Sequence, residues 1–376
     1  FTTTGASIIP NVEVLSRGLL YWRSFSHWIG GMGVLVLLMV FIPKSDHNTG
    51  STIHLLRAES PGPTVGKLVP RMKQTALTLY GIYMGLTILN FFFLLAGDMP
   101  LFDAVCTALG TAGTGGFGIK ADSIAGYSPY LQNVTTIFML LFGVNFSCYY
   151  LLLTRHFFNV WKDEELRAYL GVFAASTALI TWNIYHMYSG IHESLRLAAF
   201  QVSAVMTTTG FATADFDQWP SFSKGLLLCL MFIGASAGST GGGVKFQRLL
   251  LLLKNLRRNI HQTLYPNKVQ VVRMNGQRVS EKVLNNTNLY LIGYTLIIVF
   301  SFLIVSLDNF SMTTNIASVI SCFNNIGPGF EATGPACNYA GYSVLSKLVL
   351  IFDMLAGRLE ILPMLGMVSF STWKRK

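Results

Sequence analysis

Hydrophobic residues along this chain form uninterrupted runs that are long enough to cross a lipid bilayer. A membrane-spanning helix needs about 20 consecutive apolar residues. Five runs of this length contain no acidic or basic residue except histidine: Gln74–Gly97, Leu131–Thr154, Ala168–Ile191, Gly225–Val244 and Asn285–Leu307. Two more are Ser24–Pro43 and Leu348–Trp373, the second of which carries Asp353, Arg358 and Glu360. The pattern predicts an all-α polytopic membrane protein.

Shorter apolar stretches lie between these runs and predict a repeated order of elements. They are 11 to 15 residues long, which is too short to cross a bilayer and suits a re-entrant helix: Phe102–Ala112, Glu193–Met206 and Met312–Ile326. Each follows one long run and precedes a glycine-containing string and a second long run. We therefore predict parallel, pseudo-symmetric repeats of helix, pore helix, filter loop and helix. A first copy shows only its loop and Ser24–Pro43, so we expect it to be incomplete in this chain.

Four glycine strings mark the predicted loops. They are TTTGAS at Gly5, GTAGTGGFG at Gly115, TTTGFAT at Gly210 and NNIGPGF at Gly327, separated by 110, 95 and 117 residues. Such recurrence indicates a repeat. Four loops around one axis can replace the water shell of a monovalent cation with backbone carbonyls. The predicted cation-binding residues are Thr3, Thr4, Gly5, Gly113, Thr114, Gly115, Thr208, Thr209, Gly210, Asn325, Ile326 and Gly327.

Each glycine has a second interpretation, as a turn or a helix-packing contact. For one loop alone, that interpretation is as good as a pore. Irregular backbone at membrane depth persists only where it is buried in protein or lines water, and four strings in the same register favour a pore. The loops contain no arginine or lysine, which disfavours an anion pathway.

Composition agrees with the membrane assignment and offers no enzyme signature. Hydrophobic residues make up 52% of the chain, charged residues 12%, and the mean hydropathy is +0.49, whereas soluble domains carry about 25% charged residues. The five cysteines have no CxxC spacing and the seven histidines no HExxH motif. Neither a catalytic metal nor a clustered nucleophile is therefore predicted, and we do not expect an enzyme.

The distribution of charge predicts the orientation in the membrane. Twenty of the 27 Lys and Arg residues lie in four stretches: Lys44–Lys73, Arg155–Arg167, Lys245–Lys282 and Lys374–Lys376. Basic loops mark the cytoplasmic side, so the net charge of +10 reflects topology and we expect no nucleic acid partner. Acidic residues near the glycine strings would concentrate cations outside: Asp98, Asp103, Asp122, Glu193, Asp215, Asp217, Asp308 and Glu331.

The segment Gly234–Gly243 interrupts an apolar run with five glycines and three hydroxyl residues. Each glycine costs a helix about 1 kcal/mol relative to alanine. We predict a loop facing a water-filled cavity, and a tight helix-packing patch is the alternative interpretation. The segment lacks the GxxxxGK[ST] pattern of a phosphate-binding loop.

Arg358 is a charge inside a predicted span, where insertion costs on the order of 2.5–3.5 kcal/mol. It lies about 140° around the helix from Asp353, so the acids of its own helix are poorly placed to neutralise it. Two interpretations follow: Arg358 bonds a partner helix, or it projects into a cavity below the loops and hinders cations. Asn145 is also polar at predicted membrane depth, and it either faces a cavity or bonds a neighbour.

The motifs resemble those of a known family. The four glycine strings, WRSFSHWIGGMGV at Trp22–Val34 and FIGASAGSTGGGVKFQR at Phe232–Arg248 are similar to the Trk/Ktr/HKT superfamily of potassium transporters, and closest to its bacterial Trk-type membrane subunit, the TrkH family. The resemblance covers the whole chain and lacks only the N-terminal portion of the family pattern. It implies potassium uptake across the bacterial inner membrane, with potassium as the bound ion. Glycine at all four loops favours potassium over sodium within this family.

The same resemblance implies a gate and partners. The gate would lie beneath the filter and comprise Gly234, Ser236, Gly238, Ser239, Thr240, Gly241, Gly242, Gly243, Lys245 and Arg358. A homodimer is implied, and so is a ring of cytosolic nucleotide-binding Trk subunits. The basic stretch Lys245–Lys282, broken by Pro266 and Asn275-Gly276 and with a short hairpin expected at Val269–Val272, suits the docking of such a regulator.

The predicted organisation divides the chain at its basic connections. The boundaries are 1–43 for the first loop and inner helix, 44–73 and 155–167 for connections, 74–154 and 168–254 for repeats two and three, 255–284 for a linker, and 285–376 for repeat four. Two alternatives remain. One is a sodium-dependent Ktr-type transporter, and the other is a cation-coupled solute symporter, which is typically built from inverted repeats.

Overall fold

The computed structural model describes residues 1–32, 72–268, 270–359 and 361. Within these ranges the regular structure is helical apart from one small hairpin and short 3-10 turns. The helices are α1 (Arg17–Gly31), α2 (Met72–Ala96), α3 (Leu101–Ala112), α4 (Pro129–Gly143), α5 (Phe146–Leu153), α6 (Phe157–Lys162), α7 (Glu164–Ile184), α8 (Ile191–Met206), α9 (Ser221–Ile233), α10 (Phe246–Leu264), α11 (Glu281–Val305), α12 (Met312–Phe323) and α13 (Val344–Arg358). The hairpin strands are β1 (Arg273–Met274) and β2 (Gln277–Arg278).

Some predicted segments lie outside the described residues. These are the part of Ser24–Pro43 beyond Met32, nearly all of the connection 44–73, and the end of the last repeat after Ile361.

Two helices in the described ranges are long and apolar enough to cross a membrane. They lie at Ala76–Ala96 and Glu281–Asp308, and a third span results if the bent pair α4 and α5 counts as one. Their outward faces carry large exposed apolar side chains, including Phe92 and Phe300. Because contiguous apolar surface of this kind is unusual on soluble proteins, these faces suit contact with lipid.

The run Leu131–Thr154 was expected to form one helix, and that expectation is wrong. The chain breaks at Val144 and Asn145, and α4 and α5 meet at a bend of 90°. The Asn145 side chain accepts from the Ser147 amide at 2.9 Å and so caps α5. The break is a response to tertiary structure, because the Gly143 carbonyl accepts from Ser236 of the glycine-rich segment at 3.1 Å instead of continuing the helix.

Other helices are shorter than the apolar runs that predicted them. The run Ala168–Ile191 corresponds to α7, which begins earlier, where the Asp163 carboxylate caps it, and ends at Ile184. The run Gly225–Val244 stops being helical at Ile233, because Gly234 takes a φ of +73°. In the last run, α13 ends at Arg358, because Leu359 is extended.

A short hairpin was predicted at Val269–Val272, and the structure has it a few residues later. Its strands flank Asn275 and Gly276, whose φ values are 49° and 76°. Positive φ at both central residues is the signature of a type I′ turn, which the Asn-Gly pair favours. The turn chemistry therefore fixed the register, and the apolar residues before it did not.

Three short helices, α3, α8 and α12, are packed inside the molecule. Each contacts the helix before it and a helix after it: α3 contacts α2 and α4, α8 contacts α7 and α9, and α12 contacts α11 and α13. Each also touches one helix from an earlier part of the chain, namely α1, α4 and α9 respectively. The three short helices therefore occupy equivalent surroundings.

Candidate functional site

The first glycine loop lies between the second and the fourth. The Gly5 amide donates to the Ile326 carbonyl at 3.3 Å. A Cβ placed on Gly5 would lie 3.0 Å from the Gly115 carbonyl oxygen, and one placed on Gly327 would lie 2.5 Å from the Gly5 backbone. Loops that are far apart in sequence thus meet backbone to backbone.

The third loop completes this arrangement. A Cβ on Gly116 would overlap the Thr209 carbonyl oxygen, and a Cβ on Gly210 would overlap the Ile326 carbonyl oxygen. The second loop therefore abuts the third, and the third abuts the fourth. The four loops close a ring in chain order, and a side chain at these glycines would collide with the neighbouring loop.

Helix ends and backbone torsions define equivalent positions in the loops. The second residue after α3, α8 and α12 has positive φ in each case, as does Thr3 before Gly5: Thr3 58°, Thr114 48°, Thr208 60° and Asn325 59°. Two residues further on stand the glycines Gly5, Gly116, Gly210 and Gly327. We refer to these four as the ring glycines.

The ring position in the second loop is Gly116, one residue later than the predicted Gly115. Gly116 has a φ of +73° and Gly210 one of +75°. The string Thr114-Gly115-Gly116 offers two adjacent glycines. A signal for the second was present in the sequence, because Gly116 follows a threonine by two residues, as Gly5 and Gly210 do. The four ring glycines, including Gly116, line one cavity of about 140 Å³.

Gly115 is glycine for a different reason. A Cβ there would overlap the imidazole of His27, a buried side chain of α1. The ring of His27 stacks on Phe117 at 4.1 Å between centroids, and its Nδ1 has no hydrogen-bond partner among the described residues. Gly115 therefore permits close approach of α1 to the second loop.

The positive-φ residues are polar, and each precedes a ring glycine by two residues. Thr3, Thr114, Thr208 and Asn325 are all fully buried. Within the described part of the chain, Thr3 Oγ1 and Asn325 Oδ1 lack a hydrogen-bond partner. Buried oxygens are normally satisfied, and oxygen atoms of this kind are ligands for hard cations. No group of three His, Cys, Asp or Glu side chains in the same ranges could hold a metal ion.

The fourth loop is braced by residues that sequence reasoning missed. The Tyr339 hydroxyl donates to the Gly327 carbonyl at 2.6 Å. The Ser321 hydroxyl accepts from the Gly327 amide at 3.0 Å and donates to the Pro328 carbonyl at 2.8 Å. Tyr339 lies outside the glycine string, and no pattern in the sequence connects it with Gly327.

The glycine-rich segment 234–243 is a loop that lies directly against the ends of α8 and α12. The Gly242 amide donates to Thr208 Oγ1 at 2.6 Å. A Cβ on Gly241 would lie 2.8 Å from the Thr207 carbonyl oxygen, and one on Gly242 would lie 2.8 Å from the Asn324 carbonyl oxygen. Gly234, Gly238 and Gly243 have positive φ, as does Lys245, so no regular helix forms here.

The break between α4 and α5 holds this loop. Ser236 and Thr240 donate their amides to the carbonyls of Gly143 at 3.1 Å and Phe142 at 3.4 Å. The Phe146 amide donates to the Gly238 carbonyl at 3.0 Å. Ser239 bonds within the loop to the Ser236 carbonyl, and the ammonium of Lys245 donates to the Gly241 carbonyl.

Arg358 donates to backbone carbonyls of two other elements. Its guanidinium bonds the Thr240 carbonyl at 2.7 Å and the Gly31 carbonyl at 2.7 Å, and it also bonds the Gly30 carbonyl. Asp353 on the same helix accepts instead from the Ser301 hydroxyl at 2.7 Å. Arg358 thus connects the glycine-rich loop with the C-terminal end of α1, whose carbonyls carry partial negative charge.

Among the residues that the structure describes, the cavity at the ring glycines is lined by two basic side chains, Arg23 and Lys120, and by no acidic one. The Arg23 guanidinium lies 4.2 Å from the Phe117 ring centroid, and the Lys120 ammonium lies 4.1 Å from that of Tyr127. Sequence reasoning expected acidic residues beside the glycine loops and missed these two cations. Arg23 could have been predicted to lie near the loops, because it precedes His27 by one turn of α1 and His27 contacts the second loop.

Acidic side chains of the neighbouring loops are engaged in hydrogen bonds. Glu331 accepts from the hydroxyls of Ser311 and Thr314, and the Ser311 bond lowers the pKa of this carboxyl below its usual value. Burial raises the pKa of Asp217, which lies nearby. At neutral pH Glu331 is therefore a fixed negative charge near the fourth loop and does not line the cavity.

Comparison with known proteins places these features in a family. Residues 1–372 match the family TrkH, described as a cation transport protein. The chain is 35% identical over 383 residues to the Trk system potassium uptake protein TrkH of Salmonella typhimurium, and 34% identical over 378 residues to TrkG of Escherichia coli. Each match covers 99% of this chain and 77% of the relative. A crystal structure of the potassium transporter TrkH from Vibrio parahaemolyticus superposes with a TM-score of 0.85, at 30% identity, over 99% of this chain and 77% of that one.

Proposed function

The chain belongs to the TrkH family of cation transport proteins, and on this basis we propose that it carries potassium ions into the cell between its four glycine loops. The relatives at 34–35% identity are named as potassium uptake proteins. The observation that carries the proposal is the ring itself. Four glycines in equivalent positions line one cavity, and each abuts the backbone of the next loop.

The chemistry of the ring suits a monovalent cation. Backbone carbonyls of four loops can replace the water shell of potassium, and discrimination then depends on the number of carbonyls and the size of the ring. The ends of α3, α8 and α12 contribute partial negative charge where they meet the loops. Thr3 Oγ1 and Asn325 Oδ1, which have no partner among the described residues, supply further oxygens next to the ring. Potassium is the cargo in this proposal, and no organic cofactor is needed.

We place the gate at the glycine-rich loop and Arg358. The loop lies against Thr208 and Asn325, two residues before ring glycines. An ion leaving the ring toward the basic side of the molecule would meet the loop and then the guanidinium of Arg358. Like charges repel strongly in a water-poor passage, so displacement of both groups would open the pathway.

The orientation and partners form the rest of the proposal. The basic residues of α10 and the hairpin mark the cytoplasmic side, and the chain would reside in a bacterial inner membrane as a homodimer. The relatives are named as members of a Trk system, which is consistent with further components. A cytosolic ring of nucleotide-binding subunits docking at this basic surface is the partner we propose.

Ion flux into liposomes holding the intact protein tests the proposal. We expect uptake of potassium and rubidium with much less uptake of sodium and lithium, measured by isotope or dye release at equal concentrations. Flux that requires an organic solute would contradict the proposal and favour a symporter. Potassium flux that requires sodium would favour the Ktr-type alternative.

The basic residues that line the cavity at the ring glycines give a further prediction. Replacing Arg23 by Gln removes one positive charge from the cavity at the ring glycines, so local potassium concentration rises. We expect the half-saturating potassium concentration to fall about twofold at low ionic strength, and the effect to fade near 0.15 M salt, where the Debye length is about 8 Å. Arg17→Gln is the control, because Arg17 is on the same helix and lies beside Phe102, outside the cavity. Equal shifts in both variants would contradict a local effect.

A further inference from the structure

A buried carboxylate holds the middle of the glycine-rich loop. Glu165 lies in the first turn of α7 and is 4% exposed, and its Oε1 accepts from the Ala237 amide at 2.7 Å. We propose that Glu165 is a positioning residue for this loop, and that the hairpin 273–278 acts on the loop through the first turn of α7. The inference rests on the proposed function, in which the loop is the gate.

The loop needs such an anchor because its own side chains offer few. Five of the ten residues from 234 to 243 are glycine. The position of the loop therefore depends on groups outside it: the break between α4 and α5, Arg358, and Glu165. The Glu165 bond is buried, and losing it would leave the Ala237 amide unsatisfied. Burial raises the pKa of the Glu165 carboxyl to about 7, and the hydrogen bond from the Ala237 amide and the positive charge of Lys245 act in the opposite direction.

The hairpin turn bonds the residues immediately before Glu165. Asn275 Oδ1 accepts from the Glu164 amide at 2.9 Å, and its Nδ2 donates to Asp163 Oδ2 at 2.9 Å. The other oxygen of Asp163 caps α7 at the Leu166 amide, also at 2.9 Å. A shift of the hairpin turn is therefore applied to the first turn of α7, where Glu165 holds the loop.

A second connection joins the hairpin to the far end of the loop. Lys254 on α10 pairs with Glu164 and donates to the Arg273 carbonyl at 2.8 Å. Helix α10 begins directly after the loop, and its first amide, that of Phe246, donates to the Ala235 carbonyl at 2.9 Å. The hairpin is thus bonded to α7 and α10, two of the helices that contact the loop.

The hairpin has space in which to move. A cavity of about 360 Å³ lies between its turn and the start of α10, lined by Gln247, Leu251, Met274 and Asn275 among others. Asn275 is exposed, so a force applied from the cytosol reaches it directly. The geometry assigns to the hairpin the role of a lever and to Glu165 the role of its contact with the loop.

Resting potassium flux of the intact protein in liposomes tests this role. Glu165→Ala is expected to raise resting flux about tenfold, because one buried hydrogen bond that holds the loop is lost and a backbone amide is left unsatisfied. It is expected to leave the half-saturating potassium concentration unchanged. Glu165→Gln keeps an acceptor oxygen and is expected to give a smaller rise. Glu281→Ala is the matched control, since Glu281 is also a first-turn carboxylate on the basic side, pairs with Arg258 and does not touch the loop.

Coupling to the hairpin is tested with Asn275→Ala. We expect it to raise resting flux less than Glu165→Ala does, and the double variant to match Glu165→Ala alone. Residues on one pathway give such non-additive effects, whereas independent sites add. If the effects of Asn275→Ala and Glu165→Ala on resting flux add in the double variant, the proposed action of the hairpin through Glu165 is overturned.

Thiol labelling reports the position of the loop 234–243 without a transport measurement. Ser239→Cys is introduced after the exposed Cys229 and Cys337 have been replaced by serine, and a membrane-impermeant reagent is applied to the purified protein. Glu165→Ala and Glu165→Gln should each speed the labelling several-fold, and unchanged labelling in both would overturn the role of Glu165. If Arg358→Ala raises flux and Glu165→Ala does not, the inference fails while the proposed gate stands. A protein that conducts no potassium at all fails the proposed function instead.

Discussion

Gly116→Ser is expected to reduce potassium flux at least tenfold and to weaken discrimination against sodium. Gly116 has a φ of +73°, which strains any residue with a side chain, and its new Cβ would overlap the Thr209 carbonyl oxygen. Strain of this kind costs on the order of 1–3 kcal/mol. The neighbour is backbone of the adjacent loop, so relief requires the ring to widen. Flux of potassium and sodium in liposomes measures both consequences.

A matched control separates the ring from a general effect of serine. Gly85 lies within α2, and a Cβ there would meet nothing within 4 Å. Gly85→Ser is expected to leave flux and selectivity unchanged. Equal behaviour of Gly85→Ser and Gly116→Ser would remove the ring glycines from the proposed filter.

Gly115→Ser provides a sharper contrast, because its obstacle is a side chain. Its Cβ would overlap the imidazole of His27, and mutation of His27 to alanine removes that ring. We expect Gly115→Ser to lower flux, and His27→Ala to restore it substantially in the double variant. No single side-chain truncation should rescue Gly116→Ser. Rescue of both variants, or of neither, would contradict the assignment of Gly116 as the ring position.

The contrast between these glycines shows what the sequence predicts and what it does not. Composition, apolar runs and recurring strings predicted the helical membrane fold, the short buried stretches and three of the four ring glycines. The ring position of the second loop was misassigned because two adjacent glycines stand in its string, although only Gly116 follows a threonine by two residues, as Gly5 and Gly210 do. In the structure Gly116 takes the positive φ and its Cβ position faces the backbone of the third loop, whereas that of Gly115 faces His27.

The prediction of one continuous helix over Leu131–Thr154 failed at Asn145 for a related reason. The run Leu131–Thr154 contains no proline and no charge, so its periodicity indicates a continuous helix. The helix breaks because loop 234–243 requires the carbonyls of Phe142 and Gly143, which lie about 100 residues earlier in the chain. The role of Glu165 was not predicted for the same reason, since Glu165 precedes an apolar run and its hydrogen-bond partner, the Ala237 amide, lies far along the chain. Such long-range backbone bonds leave no periodic pattern.

The sequence left two interpretations of Arg358 open, and the structure shows the hydrogen-bond partners of its guanidinium. Its charge, placed late in an apolar run, predicted either a partner or a role below the loops. The guanidinium bonds the carbonyls of Thr240 and Gly31 at 2.7 Å each, and that of Gly30 as well. Arg358 therefore bonds other elements of the protein, as the first interpretation holds, and one of these partners is the loop that we propose as the gate.

Arg358→Ala is expected to raise resting potassium flux by tenfold or more. Hydrogen bonds from a charged group are worth about 1.5–3 kcal/mol each, and tenfold in an equilibrium corresponds to about 1.4 kcal/mol, so losing the bond to Thr240 alone is sufficient. Arg358→Lys keeps the charge but loses the planar fork that reaches several carbonyls at once, and should give an intermediate flux. Lys347→Ala is the control, since Lys347 is on the same helix and bonds the Ala340 carbonyl away from the loop. If Arg358→Ala conducts no better than this control while the protein remains intact, then Arg358 braces α1 and the loop without blocking ions, and the barrier consists of the loop backbone alone.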